Sequence, residues 1–184
     1  MSDKKKVVTG INTRWSYVNV LEPKSMNGGP AKYSVSMIIP KSDKETVEKI
    51  EIAMKAAYED GLAKLKGTSR NVPTYESLKK PLRDGDIERP GDPEYVGCYF
   101  INANNKSKPG VVDTNLAPII DPSEIYSGVY GRASISFYAF NSNGNKGIAC
   151  SLNNLQKIRD GEPLSGHSRP EEDFKTETLP DFLK

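Results

Sequence analysis

At 184 residues with 36% hydrophobic side chains, the chain is long enough to bury one core without metal or disulfide staples, and it holds no apolar run or signal segment that would carry it into a membrane. One histidine, His167, and two cysteines, Cys98 and Cys150, argue against histidine-based catalysis, a zinc site or a disulfide framework, and leave two reduced core thiols in a cytoplasmic setting. The net charge of +2 conceals a division: residues 160–184 carry seven acidic against three basic side chains, leaving +6 on residues 1–159, which is the pattern of a nucleic-acid binder with an anionic end or of merely solvated charge.

Lys4-Lys5-Lys6 opens a strand-like run through Pro23, bent at Gly10, in which Arg14, Trp15 and Tyr17 stand among Thr and Asn. Trp15 is assigned to the core. Lys24–Pro30 is a turn, and 31–40 is a second strand with Tyr33, Val35, Met37 and Ile39 on one face and Lys32, Ser34 and Ser36 on the other. Ser42 or Asp43 caps a helix running to about Lys66, with Val47, Ile50, Met54, Tyr58, Leu62 and Leu65 at helical spacing.

Residues 67–93 form a long loop without periodicity, rich in Pro, Gly and charge. Its Asp84, Asp86 and Glu88 are of the type that holds Mg²⁺ in a nuclease, although acids in a loop are more often simply solvated. A third strand spans 95–103 with Tyr99 within it, followed by a cationic turn carrying Lys106 and Lys108, and 111–121 leads into the last hairpin.

That hairpin carries the clearest pattern. Val129, Gly131, Ala133, Ile135, Phe137 and Ala139 alternate with Tyr130, Arg132, Ser134, Ser136 and Tyr138, so one face is buried and the other wet. Residues 141–147 (NSNGNKG) form the turn, with Lys146 in it, and Ile148, Cys150 and Leu152 resume the alternation. Two tyrosines flanking an arginine on a wet face suit stacked bases and phosphates. From 163 onward the chain is Pro/Gly/Ser-rich and acidic, and is expected to be a disordered tail.

No phosphate-cradling glycine loop, Ser/His/Asp set or paired acids on a regular element is present, so a non-catalytic protein without a cofactor is expected. Short bent strands, one covering helix and an aromatic-basic face describe a mainly β protein with one or two helices: an OB-fold, a five-stranded Greek-key barrel, over residues 1–162 with the inserted loop at 67–93.

The segments 32–43 (KYSVSMIIPKSD), 102–113 (NANNKSKPGVVD) and above all 131–162 (GRASISFYAFNSNGNKGIACSLNNLQKIRDGE) resemble the bacteriophage single-stranded DNA-binding proteins of OB fold. The resemblance implies sequence-independent coating of single-stranded DNA in phage replication or recombination, in the host bacterial cytoplasm. The DNA-binding candidates are Arg14, Tyr17, Lys32, Tyr33, Tyr99, Lys106, Lys108, Tyr130, Arg132, Tyr138 and Lys146. The resemblance also implies a tail, here Glu171, Glu172, Asp173, Phe174, Asp181 and Phe182, that meets replication or recombination proteins and competes with DNA, although Lys175 and the final Leu183-Lys184 depart from the family pattern. The usual OB barrel places its helix between the third and fourth strands, whereas here it follows the second strand-like run, so either the first run supplies two strands or the helix has moved. Two other readings stand beside this one: a metal-dependent nuclease or recombination enzyme using the Asp84/Asp86/Glu88 loop, and an OB-like protein-interaction module. Exposed strand edges would allow a homo-oligomer.

Overall fold

The computed structural model describes residues 3–25 and 28–164. Eight strands form one sheet: β1 (Lys6–Val8), β2 (Arg14–Lys24), β3 (Lys32–Pro40), β4 (Leu82–Asp84), β5 (Cys98–Asn105), β6 (Gly110–Val112), β7 (Tyr130–Ser142) and β8 (Asn145–Arg159). Pairing runs β7–β2–β3–β5–β8 and returns from β8 to β7, so five of the eight close a ring. β5 and β8 pair in parallel and the other ring contacts are antiparallel, which is the strand order of a five-stranded OB barrel. β1, β4 and β6 are additions that pair outside the ring with β7, β5 and β8.

The alternation read in the hairpin holds residue by residue: Gly131, Ala133, Ile135, Phe137 and Ala139 are buried, and the intervening residues are partly or fully exposed. The strands are longer and the turn shorter than the sequence suggests. Only Asn143 and Gly144 separate β7 from β8, with φ of 53° and 89°, the two positive values that a two-residue hairpin of right-handed twist requires. The seam between β5 and β8 is narrow, and Asn105 reinforces it by donating from Nδ2 to the Leu152 carbonyl at 3.0 Å.

Asp43 caps the main helix α1 (Lys44–Asp60), accepting from the Thr46 amide at 3.2 Å. Of the apolar stripe, Ile50, Met54 and Leu65 are buried and Val47 and Tyr58 partly so, Ala53 and Ala57 join them, and Leu62 is exposed instead. The helix does not run unbroken to Lys66, because it breaks at Gly61 and resumes as α2 (Leu62–Lys66). A Cβ at Gly61 would stand 2.4 Å from the Ala139 Cβ, so glycine allows the helix end to rest on β7. α1 lies between the second and third ring strands, as the sequence order implies, and not between the third and fourth as in the usual OB barrel.

Residues 67–93 are less irregular than their composition implies, since they contain β4 and a one-turn helix α3 (Gly85–Glu88). The first run supplies both β1 and β2, of which only β2 belongs to the ring. Cys98 and Cys150 are free thiols, and Cys150 is buried in the core, which pushes its pKa up and leaves it inert. The proposed tail, including Glu171, Glu172, Asp173, Phe174, Asp181 and Phe182, lies outside the described residues.

Trp15, fully buried, holds the ring shut. Its indole donates to the Gly131 carbonyl at 3.0 Å, and a Cβ at Gly131 would meet the Trp15 ring at 2.2 Å. Gly131→Ala is therefore expected to cost about 1–3 kcal/mol of stability by overpacking. Urea unfolding should show this as a lower midpoint at unchanged slope, and an unmoved midpoint would mean that the indole yields freely.

Candidate nucleic-acid interface

The outer face of β2, β3 and β5 is concave. Because side chains alternate across a strand, the residues opposite the core-facing Val35, Met37, Ile101 and Ala103 lie on this face: half-buried Lys32 and Ser34 and buried Ser36 from β3, and buried Phe100 with exposed Asn102 and Asn104 from β5. β2 adds Asn19 and Lys24, and Arg83, Glu88 and Arg89 rise on the far side. Together they bound an open trough of about 770 Å³.

Tyr17 is placed by a break in pairing. The β2–β3 register shifts between Ser16 and Asn19, and Tyr17 sits in the bulge with φ of 47°, a left-handed conformation that is rare for a bulky side chain. Its ring is lifted out of the sheet and is 59% exposed. Arg89 fixes the ring, donating from Nη2 to the Tyr17 hydroxyl at 2.7 Å, while its guanidinium lies 5.6 Å from the Tyr17 ring centre and 4.8 Å from that of buried Tyr95. Asp92 holds Arg89 from the other side at 2.7 Å.

The acids of this region are counter-ions for its cations. Lys41 binds both Asp84 and Asp86 at 2.8 Å, and Arg83 pairs with Glu88 at 3.2 Å. Asp86 also accepts from the Gly97 amide at 2.9 Å. Lys41 first, and then that amide, depress the Asp86 pKa, so its anchoring is complete above the ordinary carboxylate range and is lost only as pH falls through the depressed value. Among the described residues no group of three His, Cys, Asp or Glu side chains is arranged to hold a metal ion, so Asp84, Asp86 and Glu88 do not form the Mg²⁺ site that their spacing allows. At the other end of the trough Lys24 and Lys32 stand directly opposite each other across β2 and β3. Like charges so placed repel, and an anion between them relieves the repulsion.

Of the eleven residues read from the sequence, Tyr17 and Lys32 line the trough. Lys106 and Lys108 follow in the exposed turn beyond Asn104, which lines it. The rest lie elsewhere. Tyr33 and Tyr99 sit at the core-facing register of β3 and β5. Arg14 donates to the Gly128 carbonyl at 3.1 Å and also binds the Glu162 carbonyl. Tyr130 already carries two guanidiniums, Arg14 at 5.1 Å and Arg159 at 4.1 Å. Arg132 is spent on the Thr9 carbonyl and Gln156. Tyr138 and Lys146 lie toward the hairpin tip, where Lys146 is bonded to Ser69 at 2.6 Å. The wet face of β7 therefore does not form the trough, because β7 stands across the ring from the β3–β5 pair.

Sequence reasoning missed Lys24, Arg83, Arg89, Phe100, Asn102 and Asn104. A period-two pattern in 100–104 marked the last three, but tyrosines on the other face obscured it. Arg83 and Arg89 stood inside a stretch read for its acids.

A family model described as "Enterobacter phage Enc34, ssDNA-binding protein" matches residues 5–183. Protein p50 of Acyrthosiphon pisum secondary endosymbiont phage 1 is 33% identical over 162 residues, 84% of each sequence. The single-stranded DNA-binding protein of bacteriophage Enc34 in complex with ssDNA superposes with a TM-score of 0.70 at 25% identity, covering 88% of this chain and 90% of that one. A C-terminal truncation of the Enc34 protein gives 0.71 at 23% identity over 87% and 88% of the two chains, a likeness of fold.

A ring on an open face takes a stacked base, worth about 1–3 kcal/mol by alanine substitution. Tyr17→Ala should weaken oligo-dT binding by that amount in a fluorescence titration, while Tyr130→Ala leaves it nearly unchanged. The reverse ranking would return the interface to the β7 face.

Proposed function

The chain belongs to the Enterobacter phage Enc34 ssDNA-binding protein family, and we propose that it coats and protects single-stranded DNA in phage replication or recombination, by binding and without chemistry on the strand. The observation that carries this reading is the meeting of an open tyrosine, Tyr17, with the cations Lys24, Lys32, Arg83 and Arg89 on one outer sheet face. Such a trough tracks the backbone by charge and holds bases by their π-faces, which every base has, so it discriminates little between sequences. The relative solved with ssDNA supports the same reading. Its setting is the bacterial host cytoplasm. The nuclease alternative loses its acids to Lys41 and Arg83.

The proposal extends to the acidic C-terminal residues. Leu164, the last described residue, packs against Ile38, Tyr95 and Phe100, and Phe100 also lines the trough. The Leu164 amide donates to the Ser127 carbonyl at 2.9 Å, and buried Lys157 pairs with Asp160 at 2.7 Å, so the exit is firmly held. Glu171, Glu172, Asp173, Phe174, Asp181 and Phe182 follow in the sequence, beyond the described residues. In this reading the tail competes with DNA and, when displaced, is offered to replication or recombination proteins.

Anisotropy with labelled oligo-dT and a duplex of equal length tests both parts. The single strand should bind more tightly, with log K falling linearly against log salt, and ending the chain after Leu164 should tighten binding. Equal affinity for duplex, or none for either, would overturn the main reading; unchanged or weaker binding by the shortened chain would overturn only the competition.

A further inference from the structure

A second concavity of about 470 Å³ adjoins the first, and the two share Arg83, Glu88 and Asn102 as common wall. It is bounded otherwise by 78–82, a segment fixed to the barrel where the Ile148 amide donates to the Lys79 carbonyl at 2.9 Å. Its chemistry differs from that of the first. No aromatic ring lines it, while Lys79, Lys80 and Arg83 do, opposed by the single acid Glu88. A surface with cations and no stacking platform suits a sugar-phosphate backbone rather than bases.

The three cations are not equivalent. Lys80 is occupied, with its ammonium 4.5 Å from the Tyr75 ring centre and 3.3 Å from the Leu78 carbonyl. Among the described residues no hydrogen bond or ion pair holds the exposed Lys79 side chain. Arg83 sits at the junction, paired with Glu88 across surfaces 49% and 40% exposed, so the pair is hydrated and opens at little cost.

We propose that the bound strand leaves the first trough past Asn102, passes over Arg83 and continues along the second, where Lys79 and Arg83 take backbone phosphates and Glu88 is displaced from Arg83. This rests on the single-strand reading and extends it, because the footprint then exceeds what the first trough can hold. Glu88 becomes an internal stand-in for phosphate that sets how readily the strand enters the second segment.

The test uses the full chain and oligo-dT at the two ends of the range of site sizes for such folds, about 4 and 16 nucleotides. Lys79→Glu changes only an exposed side chain of the second concavity. It should weaken binding of the 16-mer about tenfold and make its salt slope shallower by about 0.7, with the 4-mer unaffected. Glu88→Gln should tighten the 16-mer more than the 4-mer. An equal loss at both lengths, or no loss at either, overturns the extended path. A wild-type protein that bound neither oligonucleotide would sink the single-strand reading itself, and this proposal with it.

Discussion

β2 has to satisfy two neighbours that pull it in different directions, and the rest of the molecule follows from how it does so. Its first residues zip to β7, with the Trp15 amide donating to the Val129 carbonyl at 2.8 Å and the indole flat on Gly131. Along its other edge it pairs with β3 from Arg14 out to Lys24. A strand that closes a small barrel must bend sharply between such partners, and a bulge is the cheapest way to bend it. The bulge falls at Tyr17. The closure that buries the core therefore also throws an aromatic ring onto the outer face, and barrel and interface are two results of one backbone event.

The second half of the interface is assembled by charge. Five acids, Asp84, Asp86, Glu88, Asp92 and Asp160, lie near surfaces that would otherwise repel themselves, each paired with a Lys or Arg. Exposed pairs of this kind add little to stability. Their effect is positional: Arg89, held at 2.7 Å by Asp92, is delivered to the trough in one orientation. Preorganisation of that sort lowers the ordering cost of binding. It also explains why a segment as acidic as 84–92 can border a surface for a polyanion.

The barrel was legible in the sequence where burial imposes a period. Residues 129–139 read correctly because one face of the strand is sealed, and the amphipathic spacing of 47–65 gave α1; 33–39 is a strand as expected, but 35–39 is buried on both faces, which the alternation did not show. The break at Gly61 depends on the approach of Ala139 from a strand 78 residues away, and no local pattern announces it. The site was less legible for the same reason. Tyr130, Arg132 and Tyr138 have the composition of a DNA-binding strand, but the Tyr130 ring is covered by Arg159 and the Arg132 guanidinium is bonded to the Thr9 carbonyl, both distant in sequence. Which wet face is left free is decided by ring order, and ring order is a property of pairings, not of any strand alone.

Strain offers an independent pointer to the trough. A tyrosine at φ of 47° costs about 1–3 kcal/mol relative to an ordinary strand conformation, and such conformations persist where the surroundings over-determine them. Here the surroundings are the β2–β3 pairing on either side of the bulge and the Arg89–Asp92 clamp on the hydroxyl. A glycine at this position would relieve the backbone and lose the ring. That the strained position carries the most exposed tyrosine of the barrel, and that an arginine from the distant 84–92 segment is spent on steadying it, is what a surface prepared for a stacked base requires and what a plain turn does not.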